Sequence, residues 1–269
     1  MTGTDSLRAA LRRLRESGAT LMGEAVGVHG PTAGFADGPG LLRTPLGEAG
    51  TVGAAVGLAV SGRRVVVELV DGAGVARAAE ALGEAARLVR EGAGAWTIPL
   101  VVLAPASDDA VAASAAISLD CLIAGVADDV APLLESAVSR GAPALLLVGR
   151  AALDGEVSGA APAPSGPVIR RPGAAVTIAA VGDGVPASLA AVDNAGLDAE
   201  VVDLRSARVE GAALGESVRK TGRLVVVGAP ASVLYAGTRD AFLHLESPPA
   251  RAGVDPEAIV AAVRASLNY

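Results

Sequence analysis

Six stretches of this chain are apolar at nearly every position, and that feature restricts the architecture more than any other. They fall at residues 64–69, 98–104, 143–148, 176–181, 200–204 and 223–227, and Ala-rich segments of helical length separate them. A strand with one wet face alternates apolar and polar residues, whereas a strand apolar throughout is covered by helices on both faces. The expected fold class is therefore α/β. At 269 residues the chain exceeds the usual single core, so two parallel-sheet domains are expected.

The text changes character over GEVSGAAPAPSGP, where Pro and Gly oppose a packed element. We expect a linker over 151–172 between domains at 1–150 and 173–269. The opening MTGTDSLRAALRRLRES reads as a capped amphipathic helix and not a signal peptide, because no long apolar segment follows its arginines. No apolar run reaches the ~20 residues needed to span a bilayer, so no membrane partner and a cytoplasmic location are expected.

Charge and cysteine usage remove further classes. The net charge is −7 and Lys220 is the one lysine, which argues against nucleic acid, since neutralising phosphates requires clustered cations. The single cysteine, Cys121, excludes an internal disulfide and a cysteine-based zinc site. Its place between Leu119 and Ile123 suggests a buried thiol.

The most informative segment is RTPLGEAGTVGAAVGLAVSGRR at 43–64, followed by the strand VVVEL. A strand end delivers Thr44 and Pro45 to a turn, and Glu48 opens a helix. Gly50, Gly53 and Gly57 leave one face of that helix nearly bare, which permits close approach of another backbone or subunit. A carboxylate at a helix start ordinarily complements the helix dipole, worth ~0.3–1 kcal/mol.

The whole string resembles the pyrimidine-binding domain of the beta subunit of thiamine-diphosphate-dependent 2-oxoacid dehydrogenases. There a T-P-x-x-E-x-G-x-x-G-x-A-x-G segment precedes a strand ending in Glu. LMGEAVG at 21–27 and AGAWTIPLVVL at 93–103 are similar to that domain in the same order, and AEVVDLRSARVEGAALGESVRKTGRLVVV at 199–227 looks like its transketolase-type C-terminal domain. The likeness thus covers most of the chain in register.

What the resemblance implies is specific. Glu48 matches the glutamate that hydrogen-bonds N1′ of the aminopyrimidine and so promotes removal of the thiazolium C2 proton. A carboxyl in that role benefits from a dry cleft that raises its pKa. Glu24 matches a position close to the cofactor, and Leu46 one that contributes a backbone contact. The diphosphate and Mg²⁺ are implied to be held by an alpha-type partner subunit, in an alpha2beta2 heterotetramer acting on a small-molecule 2-oxoacid.

The chain also departs from the family pattern. The run VELVDGAG at 67–74 contains no aromatic residue, and PASDDAVAASAAISLD after Ala104 lacks the family's histidine. No histidine lies between His29 and His244. The connection over 242–256 is shorter than in relatives. His29, in the glycine-rich VGVHGPTAG, is the remaining proton-transfer candidate near Glu24.

Two other functions fit parts of the text. One is a non-catalytic organising subunit of such a complex. The other is an NAD-binding oxidoreductase: Gly182-Asp-Gly-Val-Pro-Ala187 follows a strand and Asp203 ends the next, as in the dinucleotide fingerprint. The same six residues are better read as an ordinary strand-to-helix turn, which agrees with the flanking VVDLR and KTGRLVVV segments. Asn194 follows too soon after Gly182-Asp183-Gly184 for the thiamine enzymes' magnesium motif, so no metal ligand is expected in this chain.

Overall fold

Each of the six apolar runs becomes a parallel strand, and buried polypeptide covers it on both sides. The structure, a computed structural model, describes residues 1–45, 47–92, 95–159, 166–208, 211–230, 232–239 and 241–269. The chain divides into two units, Met1–Pro164 and Ser165–Tyr269.

The first unit runs α1 (Gly3–Glu16), β1 (Thr20–Gly23), β2 (Leu41–Arg43), α2 (Glu48–Val60), β3 (Val65–Glu68), α3 (Ala73–Arg77) and α4 (Ala79–Glu91). It continues β4 (Leu100–Pro105), α5 (Asp108–Ala116), β5 (Asp120–Ala124), α6 (Ala127–Ser139), β6 (Ala144–Val148) and α7 (Arg150–Asp154). The six strands form one sheet in the order β2-β1-β3-β4-β6-β5, every neighbouring pair parallel. Leu7 and Leu11 of α1 pack with Leu21, Val66, Val101 and Leu146 from the sheet in one apolar core.

Helix α1 starts where the sequence places it. The Thr2 hydroxyl accepts from the Asp5 N–H at 3.1 Å, and the Asp5 carboxylate accepts from the Thr2 N–H at 3.0 Å. Such a reciprocal cap satisfies two of the four free N–H groups at a helix start. Strand β5 was not expected, because it is short and opens on a charged residue. It buries Cys121, as the neighbours of that thiol suggested.

The second unit runs β7 (Val168–Arg171), β8 (Val176–Ala180), α8 (Gly184–Ala195), β9 (Ala199–Asp203), α9 (Gly211–Thr221), β10 (Leu224–Val227), α10 (Ser232–Arg239), β11 (Ala250–Ala252) and α11 (Pro256–Leu267). Its sheet order is β11-β10-β8-β9-β7, with only β7 antiparallel to its neighbour.

The expected linker over 151–172 is corrected at both ends. At one end residues 150–154 are helix α7, the Gly155 carbonyl accepts from the Gly3 N–H at 2.9 Å, and Glu156 bridges Thr2. At the other, residues 168–171 are the edge strand β7. Polar residues disguise that strand: Arg170 reaches Asp203 at 2.9 Å and Arg171 reaches Asp193 at 2.8 Å. Residues 160–165 lie outside the described residues.

Candidate active site

Ligands of open α/β sheets sit beyond the carboxyl ends of the strands, and the sequence candidates gather there in the first unit. Strand β1 ends at Gly23 and β2 at Arg43, paired in register. The Thr44 N–H donates to the Gly23 carbonyl at 3.1 Å, tying the turn after β2 to the end of β1. Thr51 then donates its hydroxyl to that of Thr44 at 2.9 Å, fixing α2 against the same turn.

Glu24, the first residue after β1, accepts the Gly47 N–H at 2.6 Å through Oε1. Gly47 has φ of 140°, a conformation that L side chains avoid, and it caps α2 without a side-chain hydroxyl. Glu24 therefore supplies the carboxylate that a helix start favours. Leu46 lies outside the described residues.

Glu48 is the first residue of α2, and its side chain is 18% exposed. Arg77, the last residue of α3, donates to Glu48 Oε1 from Nε at 2.8 Å and also from Nη2. The same Nη2 donates to Asp71 at 2.8 Å, so one guanidinium joins two carboxylates. The Arg77 bonds, reinforced by the backbone N–H of Glu48 itself, hold the Glu48 carboxyl below its ordinary range. This reverses the direction that the family role led us to expect, because a cation, Arg77, stands against Glu48. Gly74 makes room for the cluster: a Cβ there would lie 3.2 Å from Glu48 Cγ and 3.4 Å from Oε1.

Helix α2 buries Thr51, Val52, Ala55, Val56 and Ala59, and turns Gly50, Gly53 and Gly57 outward. A Cβ at any of those three glycines would meet no described atom within 4 Å. The bare face is thus present and uncovered in the single chain.

His29 is exposed and precedes the short 3₁₀ turn Gly30–Thr32. No bond joins it to Glu48 among the described residues. Instead it lines a cavity of about 200 Å³ together with Glu68, Leu7, Leu103 and Val148. Glu68, which ends β3, was read in the sequence as part of the family string but given no role. It is only 9% exposed, and burial pushes its carboxyl up to about 7 despite a hydrogen bond from Thr32. The signal available in the sequence was an acid closing an otherwise apolar strand.

The dinucleotide alternative lacks its acid. Asp203 is fully buried and holds Arg170 at 2.9 Å, so it cannot reach a ribose. Gly184 is explained by packing: a Cβ there would lie 2.9 Å from the Val227 carbonyl oxygen.

Comparison with known proteins gives a consistent pattern. The family "Transketolase, C-terminal domain" matches residues 167–267. The chain is 30% identical to 2-oxoisovalerate dehydrogenase subunit beta of Pseudomonas aeruginosa, over 92% of this chain and 85% of that one. It is 32% identical to mitochondrial pyruvate dehydrogenase E1 component subunit beta-2 of Oryza sativa subsp. japonica, over 95% of this chain and 79% of that one. The beta subunit of the Bacillus subtilis pyruvate dehydrogenase E1 component is 29% identical, over 91% and 86%. Among solved structures, a split-gene transketolase described as an inactive beta4 tetramer has the same fold, with a TM-score of 0.73 at 17% identity, covering 100% of this chain and 98% of that one.

Proposed function

We infer the function of this chain from the family to which it belongs, the beta subunits of the 2-oxoacid dehydrogenases: it is the beta-type half of a thiamine-diphosphate-dependent enzyme that decarboxylates a small 2-oxoacid and passes on the acyl or hydroxyalkyl unit. An alpha-type subunit completes the active site, in an alpha2beta2 assembly in the cytoplasm, and carries the diphosphate and its Mg²⁺.

The observation that carries this reading is Glu48 at the first turn of α2, beside a helix face with no side chains. The residues present fit a flat heterocycle: the carboxylate is partly exposed, and the adjoining face of α2 offers backbone at Gly50, Gly53 and Gly57 rather than side chains. Bound there, the cofactor would supply the carbon nucleophile and the electron sink for decarboxylation.

This chain's residues then have distinct tasks. Glu48 holds a proton at the pyrimidine nitrogen through Oε2, the oxygen that Arg77 does not engage among the described residues. Glu24 keeps the turn before α2 in place through Gly47. Leu46 offers its backbone, and His29 carries protons at the mouth of the neighbouring cavity.

The hold of Arg77 on Glu48 favours a second reading, a non-catalytic organising subunit whose carboxylate is permanently paired. One experiment separates the two. In the complex reconstituted with the alpha-type partner, Glu48→Gln should lower decarboxylation at least ~100-fold, the low end for lost acid–base assistance, with assembly unchanged. Turnover close to that of the unsubstituted complex would overturn the catalytic reading.

A further inference from the structure

We propose that the cavity beneath α1 is a binding site for a small uncharged aliphatic carbonyl compound, with the Glu68 carboxyl as its hydrogen-bond donor. The site is built by this chain alone and does not depend on the thiamine reading.

The lining defines the apolar part of the ligand. Leu7 of α1 and Leu153 of α7 face Leu69, Leu103 and Val148 from the carboxyl edge of the sheet. Branched aliphatic walls of this kind favour a branched aliphatic guest. At about 200 Å³ the space exceeds the roughly 150 Å³ engineered cavity that accepts benzene, so a guest of roughly six to eight non-hydrogen atoms fits.

The hydrogen-bond geometry defines its polar end. The Gly27 N–H donates to the Thr32 hydroxyl at 2.9 Å, and that hydroxyl donates to Glu68 Oε2 at 2.5 Å; its other acceptor, the His29 carbonyl, is 3.5 Å away. Oε2 is thereby an acceptor with its partner in place. Oε1 has no partner among the described residues and lies against Gly30, where a Cβ would approach within 2.2 Å. A carboxyl in such apolar surroundings favours its protonated form, and burial holds this one up to about 7, so it carries its proton in mildly acidic solution, below about pH 6, where the titrations are run. With Oε2 accepting from Thr32, that proton belongs on Oε1. The cavity therefore presents an O–H, and the complementary group is an uncharged carbonyl oxygen.

The segment forming the outer wall is held down on two sides. Arg8 of α1 donates to the Ala33 carbonyl, and the Arg8 and Arg12 guanidinium groups stack over Phe35 at 5.9 and 5.5 Å. The site is thus pre-formed, which spares a ligand the entropy of ordering it.

The test uses the purified full chain and three probes of one carbon skeleton: 3-methylbutanamide, 3-methylbutanoate and 3-methylbutylamine. Titration followed by backbone amide NMR should show the amide binding with Kd of ~1 mM or tighter, a realistic value for so small a ligand, with shifts at Gly30, Leu69 and Leu103. The anion and the amine should bind at least ~10-fold more weakly, one tenfold step corresponding to a single good hydrogen bond or charge mismatch. Glu68→Gln, which still offers N–H, should retain the amide; Glu68→Leu should lose it, and Ala25→Leu should exclude it by filling the cavity from its rim. Preferred binding of the amine, unchanged binding by Glu68→Leu, or no binding by the unsubstituted chain would each overturn the proposal.

Discussion

Arg77 Nε stands 2.8 Å from Glu48 Oε1, so the carboxylate we propose for cofactor activation is paired within its own chain. The pair spans 29 positions and brings the ends of two helices together. An ion pair this exposed on the arginine side adds little to stability. Its consequence is chemical: it fixes which protonation state Glu48 presents.

Removing the guanidinium should release that state. In Arg77→Met the Glu48 carboxyl should titrate higher than in the unsubstituted chain, as followed by side-chain carboxyl NMR. The sign of the linked stability is set by the depressed value: the pair stabilises the fold above the ordinary carboxylate range and loses its effect as pH falls through the folded-state pKa. Acid unfolding of Arg77→Met should accordingly lack that step. An unmoved Glu48 titration would mean that the pair does not persist in solution.

Glu68 behaves in the opposite sense. Its pKa is raised to about 7, so its contribution is fully present below the ordinary carboxylate range and is lost as pH rises through about 7. The loss is on the order of 3 kcal/mol. Denaturant unfolding at pH 5 and pH 8 should show this decline in the unsubstituted chain, and Glu68→Gln should flatten it. Equal pH dependence in both proteins would remove Glu68 as its source.

The bare face of α2 predicts a split between folding and assembly. Because a Cβ at Gly53 meets no described atom within 4 Å, Gly53→Ala should fold and gain roughly 0.5–1 kcal/mol from reduced backbone freedom. Gly53→Leu should also fold, yet should prevent close approach of a neighbouring backbone, at a cost of ~1–3 kcal/mol or more. Light scattering with and without the alpha-type partner reads both effects. Normal assembly of Gly53→Leu would place the interface elsewhere.

In the second unit, Asp203→Asn should be severely destabilising. The carboxylate is fully buried and its partner Arg170 is 17% exposed, so the substitution removes the anion from a largely desolvated ion pair, at about 3–5 kcal/mol. Thermal unfolding measures it. The same substitution should leave NAD titrations as blank as in the unsubstituted chain, since Asp203 is occupied internally.

How much of this was legible follows from the range of each interaction. Strands such as VVVEL could be read because every residue is buried and each position speaks for itself. Glu48 could be singled out because its string resembles a known one, and the fold then shows its place at the start of α2. Arg77 was not: it ends a five-residue helix, and only the fold brings it to a carboxylate in α2. β7 was hidden because its arginines serve Asp203 and Asp193 across the sheet, which a scan of neighbours cannot detect. The role of Glu68 was masked for a related reason, since a glutamate ending a strand reads as solvent-facing until Thr32 is seen to close over it.

The three outward glycines of α2 also bear on the lifetime of the chain in a cell. Each costs a helix roughly 0.5–1 kcal/mol relative to alanine, and on this face no described side chain shields the backbone. Uncovered, the helix bearing Glu48 is the segment expected to open first, and local opening is what proteases exploit. On the proposed assembly with an alpha-type subunit, an unassembled copy would be cleared faster than an assembled one, so the bare surface would also keep the supply of this subunit matched to demand.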